Sequence, residues 1–333
     1  MKTGLVIGKF YPPHRGHKFL IETALNAVDH LDVLICVRAD QAISGNLRQN
    51  WLQEIHPAAR VMQIDDFGDD DNSKAWADYT RSILGRAPDV VFTSESYGEA
   101  YARYLGCEHV LVDADRREVP ISATEIRANP LQHWEFLEPC VRAYFARRVC
   151  VVGAESTGTT TLAQQLAEHF QTVWVPEYGR TYCENLAASG VDLWNYQWRS
   201  EEFLDIARLQ CDLEEKLARA ANRILICDTD ALATSVWHER YMKSRSREVE
   251  DIASGRKYDL YVLTDCDIPF VQDGLRDGEA IRRWMTARFE ERLAERQLPW
   301  IKVSGTRSER LQQAIAEIDQ QMLAGAMNHF TNH

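Results

Sequence analysis

Residues 153–162, GAESTGTTTL, directly follow the apolar run RVCVV and fit the phosphate-binding pattern G-x-x-x-x-G-K-[ST] at all but one position. Gly153 and Gly158 occupy the glycine positions and Thr160 the final hydroxyl, but Thr159 stands where the pattern has lysine. A strand that ends in such a turn before a helix favours anions, because free amides and the helix dipole both attract negative charge. The run predicts an α/β domain with a phosphate site that lacks its lysine.

Strand-like and helix-like segments alternate on both sides of this loop. The strand-like runs are TGLVIG, LDVLICV, RVMQID, DVVFTSE and HVLVDAD before it, then RVCVVGA, TVWVPE, RILICDTD, YDLYVLTD and PWIKVSG. Segments of helical period such as GHKFLIETALNAV, SKAWADYTRSIL and TTTLAQQLAEHF separate most of them. With 333 residues, this pattern predicts an α/β protein of two doubly wound parallel-sheet domains, residues 1–147 and 148–333, without a flexible linker.

Composition narrows the function classes. The net charge of −12 argues against a nucleic-acid partner, because duplex-binding domains normally present a basic face. No apolar run approaches the ~20 residues of a membrane span, and the N-terminus lacks the features of a signal peptide, so we expect a cytoplasmic protein with no membrane partner. The eight scattered cysteines predict reduced, buried thiols rather than a zinc site. The acidic run DDFGDDD, residues 65–71, predicts a solvated loop, and a homo-oligomer stays an open alternative.

Two further motifs carry groups that suit phosphate chemistry. In GKFYPPHRGHKFLI a strand ends at Gly8, and a turn then presents His14 and His17 at the start of a helix. In ISATEIR, residues 121–127, a helix start supplies Ser122 and Thr124, with Arg127 on its first turn. Imidazoles, hydroxyls, free amides and one guanidinium together form a binding site for a polyphosphate.

The pair H-x-G-H and I-S-x-T-x-x-R resembles the nucleotidylyltransferase superfamily. The chain also resembles bacterial nicotinamide mononucleotide adenylyltransferases of the NadR type in the segments GKFYPPHRGH, WLQEI, TSESYG and ISATEIR. In that type the adenylyltransferase is fused to a ribosylnicotinamide kinase, and the likeness continues through VVGAESTGTTTL, VPEYGRTY, ILICDTDALATSVW and DCDIPFVQDGLRDG. The resemblance therefore covers nearly the whole chain.

For the first domain, the resemblance implies transfer of AMP from ATP to nicotinamide mononucleotide, which gives NAD and pyrophosphate. His14, His17 and Arg127 would be the catalytic residues. The implied ATP contacts are Gly8, Lys9, Phe10, His14, His17, Ser122, Thr124 and Arg127. The nicotinamide ring is flat and cationic, so an aromatic face suits it. Trp51 and Trp76 are both candidates for that face, and Glu95 is a further candidate contact of nicotinamide mononucleotide.

For the second domain, the resemblance implies phosphorylation of ribosylnicotinamide by ATP with Mg²⁺ as cofactor. The implied ATP contacts are Gly153, Glu155, Ser156, Gly158, Thr159, Thr160, Thr161 and Arg276. Thr160, Asp228 and Asp230 would hold the metal ion, with Asp228 also catalytic, and Glu177, Tyr178 and Arg180 would contact ribosylnicotinamide.

Three hypotheses remain at this point. The first is a bifunctional enzyme with both activities. The second is an adenylyltransferase with a nucleotide-sensing pseudokinase, which Thr159 favours because the lysine normally bridges the β- and γ-phosphates. Arg276, Arg282 or Arg283 would compensate for the missing lysine in part if a lid closed over the phosphates. The third is a DNA-binding regulator; the chain begins on the first predicted strand rather than on a helix-turn-helix, and its net charge is negative, so we expect no operator binding.

Overall fold

Each half of the chain folds around its own five-stranded parallel sheet. The computed structural model describes residues 1–69, 72–270 and 280–325. It divides into two compact units, Met1–Val141 and Arg142–His333. The prediction of an α/β protein with two doubly wound parallel sheets is confirmed. The domain boundary between residues 147 and 148 stays a prediction.

The first unit has the strand order β3-β2-β1-β4-β5. Its strands are β1 (Thr3–Gly8), β2 (His30–Val37), β3 (Arg60–Asp65), β4 (Val90–Thr93) and β5 (Glu108–Leu111). Its helices are α1 (Arg15–Leu25), α2 (Gly45–Ile55), α3 (Ser73–Leu84), α4 (Gly98–Leu105) and α5 (Ala123–Ala128), and the division between the units falls within α6 (Pro139–Phe145). The strand order reverses between β1 and β4, which is where ligands bind in open parallel sheets.

The second unit has the strand order β10-β9-β6-β8-β7. Its strands are β6 (Arg147–Gly153), β7 (Trp174–Val175), β8 (Ile224–Asp228), β9 (Leu260–Thr264) and β10 (Trp300–Val303). Its helices are α7 (Thr159–His169), α8 (Tyr178–Ala188), α9 (Ser200–Ala218), α10 (Ala231–Met242), α11 (Arg247–Ser254), α12 (Ala280–Glu295) and α13 (Arg307–Gly325). The central strand β6 leads directly into the phosphate-loop motif.

Helices cover both faces of each sheet, which explains why the strands are nearly continuous apolar runs. In the first unit, alternate residues of β1 point to opposite cores: Val6 packs with Ile21 and Leu31, while Leu5 and Ile7 pack with α3 and α4 side chains. In the second unit, Val149 and Val151 pack with α7 and α13. These cores fix the carboxyl ends of β1 and β6, from which the two candidate sites are built.

The structure adds two observations on composition. All eight cysteines are free thiols, as predicted, but only Cys36, Cys140, Cys150 and Cys227 are buried, and the other four are partly exposed. Across residues 1–69, 72–270 and 280–325, none of the helices combines the length and the apolar character that a membrane crossing requires.

Two candidate nucleotide sites

A cavity of about 660 Å³ opens at the carboxyl end of β1 in the first unit. It is lined by side chains from the turn after β1, the start of α1 and the start of α5. The predicted residues among its lining are Gly8, Lys9, Phe10, His14, His17, Trp76, Glu95, Ser122, Thr124 and Arg127. The two motifs are about a hundred residues apart in sequence, and the sheet brings them to one site.

His14 caps the N-terminus of α1 through its side chain. Its Nδ1 accepts a hydrogen bond from the backbone N–H of Gly16 at 3.1 Å, so in the neutral ring the proton lies on Nε2. The pKa of His14 is lowered to about 4, chiefly by burial. The charge of Arg116 also lowers it, and this effect is larger than the opposing effect of Glu125. His14 is therefore a neutral hydrogen-bond donor at physiological pH.

His17 lies one helical turn further on, beside His14. The two ring centroids are 3.8 Å apart, and the Phe10 ring meets the His17 ring edge-on at 4.9 Å. Burial lowers the pKa of His17 well below its usual value, and His14 and Arg116 add to this effect. Its Nδ1 is buried without a hydrogen-bond partner. An unsatisfied buried nitrogen is costly in a folded protein unless a ligand completes it.

Arg127 is held at the cavity by the turn after β1. Its Nη1 donates to the carbonyl of Tyr11 at 2.5 Å, and its Nη2 donates to the hydroxyl of Thr124 at 3.0 Å. The guanidinium of Arg127 also lies 5.0 Å from the Tyr11 ring centroid, and that of Arg48 lies 5.4 Å from it. These contacts place a fixed positive charge in the cavity wall.

The hydroxyl of Ser122 takes part in a helix cap. It donates to Glu125 Oε2 at 2.6 Å and accepts from the Glu125 N–H at 3.2 Å. The carboxylate also accepts from the Ser122 N–H, which completes a capping box at α5. Ser122 thus lines the cavity while its hydroxyl is engaged with Glu125.

The two tryptophan candidates occupy different places. Trp76 lines the cavity, its indole N–H donates to the carbonyl of Asp69 at 2.9 Å, and Phe67 stacks on it at 4.1 Å. Trp51 is buried within α2 and is absent from the cavity lining. Of the two, only Trp76 is positioned to meet a ligand.

The sequence interpretation missed three charged residues of this cavity, Asp66, Asp113 and Arg116. Asp66 belongs to the run that was predicted to be a solvated loop, but its side chain is fully buried and lies 3.8 Å from Lys9 Nζ. That prediction is wrong for Asp66, because the turn after β3 folds back against the end of β1. Arg116 also lines the cavity, 3.9 Å from Glu95. Its loop is held by Asp113, whose carboxylate accepts from the backbone N–H groups of residues 117–119.

In the second unit, the phosphate-loop motif has the backbone that its glycines predict. Gly158 caps α7 with φ at 85°, a left-handed conformation that strains other residues. A Cβ on Gly153 would lie 2.1 Å from the Thr264 hydroxyl, so only glycine fits there. A cavity of about 210 Å³ lies in front of this loop, and the predicted residues that line it are Gly153, Glu155, Ser156, Gly158, Thr159, Thr160, Thr161, Glu177, Arg180 and Asp228.

Asp228 ends β8 directly opposite the helix start. Its Oδ2 accepts a 2.5 Å hydrogen bond from the Thr160 hydroxyl, and its Oδ1 is buried without a hydrogen-bond partner. Burial raises the pKa of Asp228 to about 6, although the Thr160 hydrogen bond and the Arg180 charge oppose this. One carboxylate oxygen is thus available to a cation or a donor.

Asp230 does not belong to this cavity. Its Oδ1 accepts from the Ala233 N–H at 2.9 Å and caps α10, and its Oδ2 accepts from the Tyr261 hydroxyl at 2.7 Å. Both oxygens are satisfied inside the protein, and the residue is absent from the cavity lining. The structure therefore does not bring Asp230 to the predicted metal site, because the turn after Asp228 points the two carboxylates in different directions.

The predicted ribosylnicotinamide contacts divide in a similar way. Glu177 and Arg180 line the cavity, whereas Tyr178 does not, and its backbone N–H donates to Gln210 Oε1 at 2.8 Å. Arg180 is the one lysine or arginine in the described lining. Arg276 lies outside the described residues. Four aromatic side chains that the sequence interpretation missed, Trp198, Phe203, Trp237 and Tyr241, also line the cavity.

Glu155 of the loop is paired rather than free to meet a ligand. Its carboxylate accepts from Arg240 Nη1 at 2.8 Å, and both side chains are buried. The guanidinium of Arg240 in turn lies 4.9 Å from the ring centroids of Trp237 and Tyr241. This contact joins the phosphate loop to the aromatic side of the cavity.

Comparisons with known proteins agree with this geometry. A protein-family profile described as an AAA domain matches residues 148–310. The chain is 29% identical over 325 residues to the trifunctional NAD biosynthesis/regulator protein NadR of Escherichia coli, and the aligned region covers 90% of this chain and 78% of that protein. It is also 29% identical over 192 residues to a nicotinamide-nucleotide adenylyltransferase of Thermococcus kodakarensis, which covers 54% of this chain and all of that protein.

Solved structures show the same fold. A crystal structure of NadR in complex with NR superposes with a TM-score of 0.79 at 20% identity, and one of NadR with NAD and AMP-PNP with a TM-score of 0.76 at 22% identity. Each comparison covers 96% of both chains. The sequence likeness to NadR thus extends over nine-tenths of this chain, and the fold is that of the NadR structures.

Proposed function

We propose that this protein makes NAD, by transferring AMP from ATP to nicotinamide mononucleotide in the first unit, and that its second unit phosphorylates ribosylnicotinamide. The observation that carries the proposal is the convergence of His14, His17 and Arg127 on one cavity at the end of β1. The names of the relatives support the substrate class, since NadR proteins and nicotinamide-nucleotide adenylyltransferases are both among them.

In the first reaction a phosphate oxygen of nicotinamide mononucleotide attacks the α-phosphorus of ATP. The bond from that phosphorus to the bridging oxygen breaks, and pyrophosphate leaves. The attacking phosphate is already a nucleophile at neutral pH, so the site has to align the groups and neutralise charge rather than remove a proton.

The residues of the first cavity suit that task. The neutral imidazole of His14 donates from Nε2, and His17 lies beside it with an unsatisfied nitrogen. Arg127 supplies a fixed positive charge for the phosphates, and Lys9 is a second cation in the lining. Trp76 lies in the same cavity and offers an aromatic face to a nicotinamide ring.

In the second reaction the 5′-hydroxyl of ribosylnicotinamide attacks the γ-phosphorus of ATP, and ADP leaves. Asp228 has a pKa of about 6 and one carboxylate oxygen without a partner, so it is suited to accept the hydroxyl proton or to orient the hydroxyl. Glu177 and Arg180 line the cavity, and we assign them to the ribose. The aromatic side of the cavity suits the flat pyridine ring.

The same free oxygen of Asp228 suits Mg²⁺ as the alternative to the substrate hydroxyl. The buried, unpartnered Oδ1 of Asp228 and the hydroxyl of Thr160 are hard oxygen donors beside the phosphate loop. In the described residues there is no group of three or more His, Cys, Asp or Glu side chains arranged for a metal, which fits an ion that takes its other ligands from phosphates and water. When bound, Mg²⁺ neutralises charge on the β- and γ-phosphates.

Product analysis tests the proposal. The full-length protein is incubated with ATP, Mg²⁺ and either nicotinamide mononucleotide or ribosylnicotinamide, and the products are separated by chromatography. NAD and pyrophosphate should form from the first substrate, and nicotinamide mononucleotide followed by NAD from the second. No NAD from nicotinamide mononucleotide would contradict the assignment of the first cavity. A cytoplasmic location and the lack of a nucleic-acid partner stay predictions.

A further inference from the structure

Arg282 is a buried arginine behind the phosphate loop of the second unit. It is 2% exposed, and its Nη2 donates to the carbonyls of Ile268 at 2.9 Å and Ser156 at 3.4 Å. Its guanidinium lies 5.9 Å from the Phe270 ring centroid, and its Nε is buried without a partner. Ser156 itself lines the cavity, so the charge of Arg282 is separated from the cavity by the loop backbone.

Two other buried arginines approach the same loop, but both are neutralised. Arg240 forms an ion pair with Glu155. Arg310 donates to the Thr157 carbonyl at 2.7 Å and forms an ion pair with Asp267. Arg282 forms no ion pair within residues 1–69, 72–270 and 280–325, so it leaves one net positive charge against the loop.

A buried charge without a counter-ion is costly, and such groups are concentrated at functional sites. The expected counter-ion here is the anion that the loop binds. The lysine of the standard motif would hold a positive charge in front of the loop, and Thr159 holds none. In a low-dielectric interior, a charge acts across the thickness of a backbone far more strongly than it does in water.

We propose that Arg282 supplies, from behind the loop, the positive charge that Thr159 does not supply in front of it. The ligand is the triphosphate of a nucleotide, and Arg282 is a positioning residue that acts through the Ser156 peptide. This inference rests on the proposed kinase function for the identity of the reaction. The effect of the Arg282 charge on nucleotide binding is tested separately, by measurements that do not depend on turnover.

The test uses the full-length protein and compares Arg282→Met with Arg282→Lys. Methionine removes the charge and keeps the length of the side chain, while lysine keeps the charge. Arg283→Met is the matched control: Arg283 was also a candidate for the missing charge, but it is exposed on the same helix and does not line the cavity. The dissociation constant for ATP is measured by calorimetry in a His17→Ala background, which weakens the contribution of the first cavity. The kinetic constants for ribosylnicotinamide phosphorylation are measured in parallel.

Arg282→Met should weaken ATP binding at least ~10-fold, since a preorganised charge is lost, while Arg282→Lys keeps most of it and Arg283→Met matches the parent. A change of one charge at an exposed site is screened by water and contributes little. Equal ATP affinity in Arg282→Met and Arg283→Met would overturn the inference.

Adding Thr159→Lys separates a charge effect from a structural one. If Arg282 supplies the charge that the lysine normally supplies, Thr159→Lys should restore ATP affinity in the Arg282→Met variant by at least ~10-fold. Failure of this rescue would assign Arg282 to the packing of the loop and overturn the inference. Loss of ATP binding with rescue, but without ribosylnicotinamide phosphorylation in any variant, would support the inference and contradict the kinase function.

The cavity offers one competing cation, Arg180, which lines it directly. Arg180→Met distinguishes the two positions. If ATP affinity falls in Arg180→Met and is unchanged in Arg282→Met, then the missing charge comes from the front of the cavity and the inference is wrong. If ATP affinity falls in Arg282→Met and only the Michaelis constant for ribosylnicotinamide rises in Arg180→Met, each residue has its assigned role.

Discussion

The hydroxyl of Thr160 donates a 2.5 Å hydrogen bond to Oδ2 of Asp228, and Oδ1 of the same carboxyl is buried without a partner. The carboxyl is therefore fixed in direction but only half satisfied. Because burial raises its pKa to about 6, the ionised form is costly in the nucleotide-free protein. Perturbed pKa values of this kind are concentrated at functional sites.

Asp228→Asn should abolish ribosylnicotinamide phosphorylation and at the same time stabilise the fold. The folded pKa of about 6 lies above the usual 3.8, so the folded chain binds more protons between these values and the free energy of unfolding falls as the pH rises through them. Asparagine removes this cost, worth ~3 kcal/mol at most at pH 7.5, and keeps an acceptor for Thr160. Chemical denaturation without Mg²⁺ and a phosphorylation assay measure the two effects.

The control for that variant is Asp230→Asn. Asp230 is also a buried carboxylate, but it caps α10 and accepts from Tyr261 away from the cavity. Phosphorylation should therefore persist in Asp230→Asn. A loss of phosphorylation equal to that of Asp228→Asn would mean that both carboxylates serve the reaction.

His17→Ala should lower NAD formation by at least ~10²-fold, because a hydrogen-bond donor at the reacting phosphate is lost. The protein should stay folded, since the His17 Nδ1 has no partner to lose. His169→Ala, a substitution of an exposed histidine in the second unit, is the control. Steady-state kinetics measure NAD formation, and the melting temperature shows whether the variant is folded. If His17→Ala turned over at nearly the rate of the control, the H-x-G-H motif would not have the assigned role.

The pH dependence of NAD formation should show no imidazole inflection near pH 6.5 beyond the ionisation of the substrate phosphate, whose second pKa is about 6. Burial holds the pKa of His14 at about 4 and that of His17 well below its usual value, and kcat/KM reports groups of the free enzyme. The same shifts make the fold less stable in acid, because the unfolded chain takes up protons first as the pH falls below about 6.5. A fall of kcat/KM as the pH rises through about 6.5 would indicate that one imidazole acts as a charged acid, because ionisation of the substrate phosphate changes the rate in the opposite direction.

Trp76→Leu should raise the Michaelis constant for nicotinamide mononucleotide about 5- to 30-fold and leave that for ATP nearly unchanged. Trp76 lines the first cavity, and loss of an aromatic face over a cationic ring costs on the order of 1–2 kcal/mol. Trp51→Leu is the matched control: its indole is buried in α2 away from the cavity, so it should lower the melting temperature without changing either constant. The reverse pattern would place the nicotinamide against α2.

The sequence predicted the parts of this protein that depend on local pattern. Buried strands are long apolar runs, and the H-x-G-H and I-S-x-T-x-x-R motifs come at strand ends, so the sheets and the first cavity followed directly. Helix α10 was not predicted, because residues on both of its faces are buried and the helical period is lost. Its burial comes from packing against α9, α11 and α12, which no local pattern encodes.

The site residues that the sequence did not place correctly are those whose surroundings are set by tertiary contacts. Asp66 is part of an acidic run that suggests solvent, but only the fold shows that its side chain turns toward Lys9. Asp230 lies two positions from Asp228, yet the cap of α10 and the Tyr261 hydroxyl take both of its oxygens. Arg282 was one of three arginines expected to compensate for the missing lysine, and only the fold shows that it is buried against the Ser156 carbonyl while Arg283 is exposed.

The most direct test of the account is a time course with the unmodified full-length protein, ribosylnicotinamide, ATP and Mg²⁺, followed by chromatography of all pyridine nucleotides. We predict that nicotinamide mononucleotide appears first and NAD follows, with one ADP and one pyrophosphate released per NAD formed. Formation of NAD only when nicotinamide mononucleotide is supplied would limit the protein to the first reaction and leave the second unit as a nucleotide-binding domain. Absence of NAD with either substrate would contradict the account.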